Sequence, residues 1–152
     1  MPCLYTRPDV MIIHSSMVKD MMFRLANGQN MILAGDFNTK PWKTPYRAIL
    51  ERGFIRGRLP KSSIYSIHYQ PNTEQVLKSA YLEKNGSEPA FTAFSSTPNS
   101  PDFCATTDYI FFDGHLTVEK VLPLPNHPIS VSYPDAKHPS DHLMIAATFR
   151  LF

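Results

Sequence analysis

The chain has 152 residues, of which 43% are hydrophobic and 18% charged, enough for one domain with a real core. A net charge of only +2 excludes a global basic field for nucleic acid. Two distant cysteines, Cys3 and Cys104, lack CxxC spacing and exclude a zinc framework or disulfide scaffold. No run approaches the roughly 18 apolar residues of a membrane span, and no signal-peptide pattern opens the chain. These features together lead us to expect an intracellular protein, cytoplasmic or nuclear, with no membrane partner.

In chain order, the spacing of Val10, Ile13, Met17, Met21 and Leu25 predicts a helix from Asp9 to Ala26, with Asp9 as its N-cap and Asn27-Gly28 as its stop. Met31 to Ala34 reads as a short buried strand, followed by Gly35. A second helix is capped by Thr44, has Pro45 at its start, turns Tyr46, Ile49 and Leu50 inward, and ends at Gly53. Lys61 to Thr73 reads as loop, Val76 to Tyr81 as either a helical turn or an irregular segment, and Ser95 to Phe103 as a surface loop. Thr107 to Phe112 and Leu116 to Pro123 read as two strands of a hairpin about Asp113-Gly114. The proline-rich stretch Leu122 to Pro139 is expected to be an extended loop, and Leu143 to Arg150 a closing strand. The mixed order points to an α+β or α/β sandwich.

Three acids stand at the ends of apolar strands: Asp36 in Gly35-Asp36-Phe37-Asn38, Asp108 in Thr107-Asp108-Tyr109, and Asp141 beside His142 in Pro139-Ser140-Asp141-His142. A buried carboxylate is costly unless paired, so stability alone gives no reason for acids there. Two acids, an amide and an imidazole at strand ends are the raw material of a metal-assisted phosphodiester hydrolase. Each residue alone also has a plainer role. Asp36 and Asn38 fit an Asx-turn, Asp141 a cap, and Asp108 a strand end. Phe91 and Phe94 fit a base-stacking wall or two core aromatics equally well. Arg52, Arg56, Arg58 and Lys61 form a basic cluster that reads as a local nucleic-acid contact or a solvated loop. The histidines other than His142 carry no partner signal.

GDFN, TDYIFF and HPSDH, in this order, resemble the C-terminal half of the endonuclease/exonuclease/phosphatase superfamily, nearest its CCR4-type deadenylase and nocturnin-like branch. The resemblance implies an α/β fold, here about one half of a four-layer α/β sandwich. It also implies a Mg2+- or Mn2+-dependent phosphodiesterase acting on single-stranded RNA or a nucleotide. In that reading Asp36 acts on the attacking water, Asn38 and His142 on the phosphate, Asp108 on His142, and Asp141 on the metal, with Phe91 and Phe94 on the substrate. The branch's metal glutamate has no counterpart here. A non-catalytic fragment or pseudoenzyme acting as a binding module is therefore the alternative. Ala93 replaces a frequent asparagine, which weakens an adenine preference, and Thr107 replaces leucine, read as a packing change. An uncovered sheet face is expected to drive self-association, and the chain alone to show activity near background.

Overall fold

The computed structural model describes residues 1, 4, 6–54, 72–98 and 100–152. Cys3, His68 and the Arg56, Arg58 and Lys61 of the basic cluster lie outside the described residues, as does most of the expected loop from Lys61 to Thr73. Arg52 of that cluster is exposed and so is Cys104. Among the described residues no helix is long and apolar enough to cross a membrane.

The first helix, α1 (Pro8–Ala26), opens on a proline, whose fixed φ suits the first turn. Arg7, not Asp9, is the N-cap; Asp9 lies in the first turn and pairs with the Arg7 guanidinium at 2.7 Å. Asn27 ends the helix in the left-handed conformation, as the Asn-Gly stop predicted. Its buried face is Val10, Met11, Ile13, Ser15, Ser16 and Lys19, so the expected stripe is only half right: Met17, Met21 and Leu25 are exposed. The face that meets α2 (Thr44–Leu50) is chosen by a neighbouring helix, which periodicity alone does not reveal. Lys43 is the N-cap of α2, with no side-chain cap bond from Thr44. Tyr46 and Ile49 are buried as expected.

β1 (Met31–Asp36) pairs antiparallel with β5 (Asp108–Asp113), and β2 (Lys78–Ser79) flanks β5 on the other side. Central β5 is buried on both faces, which explains its unbroken apolar run. Tyr109 and Phe111 face Phe37, Tyr46, Ile49 and Leu77 on the helix side. Ile110 and Phe112 face Tyr81 of α3 (Ala80–Asn85) and Leu116 and Val118 of β6 (Leu116–Val121). Edge strand β1 is less buried than expected: Met31 is covered, but Ile32 is 48% exposed.

Asp113-Gly114 is not a hairpin turn. β6 pairs instead with β7 (Ala147–Leu151), in a second small sheet packed on the first, with Phe112 and Phe149 in edge contact at 5.1 Å. β5 already has partners on both edges, so no edge is left for β6. Gly114, at φ +100°, passes close to Asn30, whose Oδ1 accepts the His115 N–H at 2.6 Å. The closing strand begins at Ala147 rather than Leu143, and the expected open sheet face is largely covered by β6 and β7. The expected surface loop at Ser95 is also a correction. β3 (Ala93–Thr97) and β4 (Ser100–Ala105) form an antiparallel hairpin, its turn at Pro98. Proline is tolerated on such a two-stranded edge because no further strand needs its missing N–H.

Candidate active site

The β1–β5 register sets Asp36 directly opposite Asp108. Antiparallel pairing therefore places the end of one apolar run beside the start of another and brings two carboxylates together. After Asp36 the chain turns through Asn38 at φ +50°, and the Asn38 N–H donates to Asp36 Oδ1 at 2.7 Å. That is the geometry of an Asx-turn. The Asn38 side-chain amide donates to the Met1 carbonyl at 2.6 Å, and the Met1 amino group donates to the Asp36 carbonyl. The buried hydroxyl of Tyr109 donates toward the Thr39 carbonyl at 2.8 Å, pinning this loop to β5.

His142 comes to the site from the far end of the sequence through a backbone bridge to Ala93. The Phe94 N–H donates to the Asp141 carbonyl at 2.8 Å and the Leu143 N–H to the Thr92 carbonyl at 2.7 Å. Its Nδ1 then lies 3.0 Å and 2.9 Å from the two oxygens of Asp108. An ionised carboxylate only accepts, so Nδ1 carries the proton and Nε2 is left free. Burial alone would push the His142 imidazole down. The hydrogen bond to Asp108 and the negative charges of Asp108, Asp36 and Asp141 outweigh it, so the ring titrates above the usual histidine range.

The five polar residues expected at the strand ends thus fall at one mouth of the fold, with Asp141 exposed at its rim. Phe91 and Phe94 do not join them. Both are buried with Tyr133 in a separate cluster, and Phe94 meets Tyr133 edge-on at 5.3 Å, so neither offers a ring face to a base. Two residues escaped sequence reasoning. Thr92 Oγ1 donates to Asp108 Oδ2 at 2.7 Å, and Thr107 Oγ1 donates to the same oxygen at 3.1 Å. Thr107 is therefore more than a packing change; its place next to an acid at a strand mouth was the available signal. His138 also has a partner that the sequence did not announce, Asp135 at 2.9 Å, and it stacks on Tyr133.

Magnesium takes six oxygen ligands, usually one or two carboxylates with water and substrate. Among the described residues no three His, Cys, Asp or Glu side chains are grouped so as to hold a metal ion. The donors present therefore do not make a metal site by themselves.

Residues 2–142 match the Endonuclease/Exonuclease/phosphatase family. Carbon catabolite repressor protein 4 homolog 4 of Arabidopsis thaliana is 29% identical over 97% of this chain and 36% of its own length. Human 2',5'-phosphodiesterase 12 is 28% identical over 96% of this chain and 24% of its own. The human Nocturnin catalytic domain superposes with a TM-score of 0.62 at 22% identity, covering 96% of this chain and 43% of that one. ANGEL2, a 2',3'-cyclic phosphatase, superposes with a TM-score of 0.65 at 21% identity, covering 99% and 55%. The chain spans about a quarter to a third of these curated relatives and about half of the solved domains. Its α/β layers are accordingly about half of the sandwich those domains build, and the chain belongs to the endonuclease/exonuclease/phosphatase family.

Proposed function

We propose that these residues supply the phosphate-side part of a phosphodiester hydrolase acting on RNA or a nucleotide, in the manner of a 3'-exonuclease. The observation that carries the reading is the His142–Asp108 pair with Asp36 alongside. Relatives named as a 3'-5'-exoribonuclease subunit and a 2',5'-phosphodiesterase support the substrate class. In hydrolysis a water oxygen forms a bond to phosphorus, its proton passes to Asp36, and the bond to the leaving oxygen breaks, that oxygen taking a proton from solvent to leave as an alcohol. Cationic His142, fixed by Asp108, neutralises charge gathering on the phosphoryl oxygens, and Asn38 donates to the same group once its amide leaves the Met1 carbonyl. The raised pKa of His142 keeps a larger share of the ring cationic near neutral pH. The reaction is expected to need a divalent cation, toward which this chain would offer Asp141.

The test is hydrolysis of single-stranded RNA and of a chromogenic phosphodiester by the full-length polypeptide that contains these residues, with and without magnesium. Magnesium-dependent cleavage lost in His142→Ala supports the reading. No cleavage of either substrate in any buffer sinks it. A binding module without catalysis is the second reading, favoured by the missing metal cluster among the described residues. In a calorimetric titration of the 152-residue chain with magnesium, micromolar binding lost in Asp141→Asn counts against a mere module, and magnesium-dependent cleavage in the assay above rules it out.

A further inference from the structure

We propose that Thr92 is a positioning residue of this site: its hydroxyl sets the Asp108 carboxylate and, through it, the ring of His142. The proposal rests on the functional reading above only for its consequence in catalysis; its geometry is independent of substrate. Thr92 is completely buried. Its Oγ1 accepts the backbone N–H of Thr107 at 2.9 Å and that of Asp108 at 3.0 Å. A hydroxyl has two acceptor lone pairs and one proton. With both lone pairs taken, the proton has one direction left, and it points to Asp108 Oδ2 at 2.7 Å.

The main chain of Thr92 is fixed just as firmly. Its N–H donates to the Ala105 carbonyl at 3.0 Å and its carbonyl accepts the Leu143 N–H at 2.7 Å. One residue therefore ties the end of β4, the mouth of β5 and the segment carrying His142. The β-branched side chain has little rotamer freedom, so the hydroxyl is set before any substrate arrives. The carboxylate in turn accepts the hydrogen bond from His142 Nδ1–H, which fixes the ring. Thr107 Oγ1, at 3.1 Å, is the weaker donor to the same oxygen and receives neither of those N–H groups.

A purely structural threonine would affect stability and leave the imidazole alone. The deciding readout is thus the tautomer of neutral His142, followed by nitrogen-15 NMR on the 152-residue protein. The wild type and Thr92→Ser should hold the Nδ1–H tautomer with a slowly exchanging, downfield ring proton. Thr92→Val should lose that proton and shift toward the Nε2–H form, which dominates in free histidine. If Thr92→Val does not fold, Thr92→Cys, close in size but a weak donor, should show the same loss. A folded valine or cysteine variant with the wild-type tautomer overturns the proposal, even if its melting temperature falls. In the full-length hydrolase, Thr92→Val should lower kcat by about 10- to 100-fold with KM nearly unchanged, the usual cost of removing a partner that orients a functional group. If no variant or wild type hydrolyses RNA yet the tautomer responds as stated, the functional reading fails and the positioning role stands.

Discussion

Lys19 is completely buried in α1, and among the described residues its ammonium group has one hydrogen bond, 2.8 Å to the Ala48 carbonyl in the last turn of α2. Burial, only partly offset by the charge of Asp20, pushes the Lys19 amine down from 10.5 to about 8. At about 1.4 kcal/mol per pH unit, a folded value that far below the unfolded one costs roughly 3 kcal/mol of stability at neutral pH. The sign is fixed by proton counting. Between about pH 8 and 10.5 the unfolded chain binds more protons at this residue, so stability rises with pH there. About 2 kcal/mol of the penalty is recovered between pH 7 and about pH 9.5. Lys19→Met keeps the length of the side chain and removes the charge, but leaves the Ala48 carbonyl without its donor, at a cost of about 1–3 kcal/mol. The variant should therefore be more stable than the wild type by about 1 kcal/mol at pH 7 and less stable by about 1 kcal/mol near pH 9.5. Burial pushes the Tyr46 and Tyr109 hydroxyls far above the usual tyrosine range; both are present in each protein and cancel in the difference. Urea unfolding of both proteins at the two pH values measures it. A variant-minus-wild-type difference that is the same at both refutes the buried-ammonium argument.

The raised pKa of His142 gives the opposite slope: its contribution is full below the ordinary histidine value and is lost as pH rises through the folded value. Urea midpoints at about pH 6 and about pH 8 should converge in Asp108→Asn more than in the wild type, and equal pH dependence in the two would refute the pairing. Gly114→Ala should destabilise by about 1–3 kcal/mol, as expected for strain at a left-handed position. The new Cβ would lie 2.9 Å from the Asn30 Cα, and an unchanged urea midpoint would show that the chain has room to move there. Phe91→Ala should cost about 3–5 kcal/mol, the loss typical of a fully packed aromatic; a midpoint close to wild type would put that ring outside the core.

The sequence by itself determined which acids stand beside apolar runs. Asp36 and Asp108 at the ends of apolar runs were legible because burying a carboxylate without a partner is costly, whereas Asp141 is exposed and the strand after it starts only at Ala147. The existence of α1 and of the short α2, the stop at Asn27-Gly28 and the inward Tyr46 and Ile49 were equally legible from spacing and turn chemistry. Only the tertiary structure decided which face of α1 is covered, because Met17, Met21 and Leu25 obey the same period as the residues that meet α2. Strand partners were likewise undecidable locally: Asp113-Gly114 permits a hairpin, but β5 was already paired on both edges and sent β6 to a second sheet. Phe91 and Phe94 carry the same apolar signal whether they face a base or a core, and Tyr133, far along the chain, settled the matter. The role of Thr92 was invisible for a related reason: a hydroxyl acquires direction only when distant backbone N–H groups occupy its lone pairs.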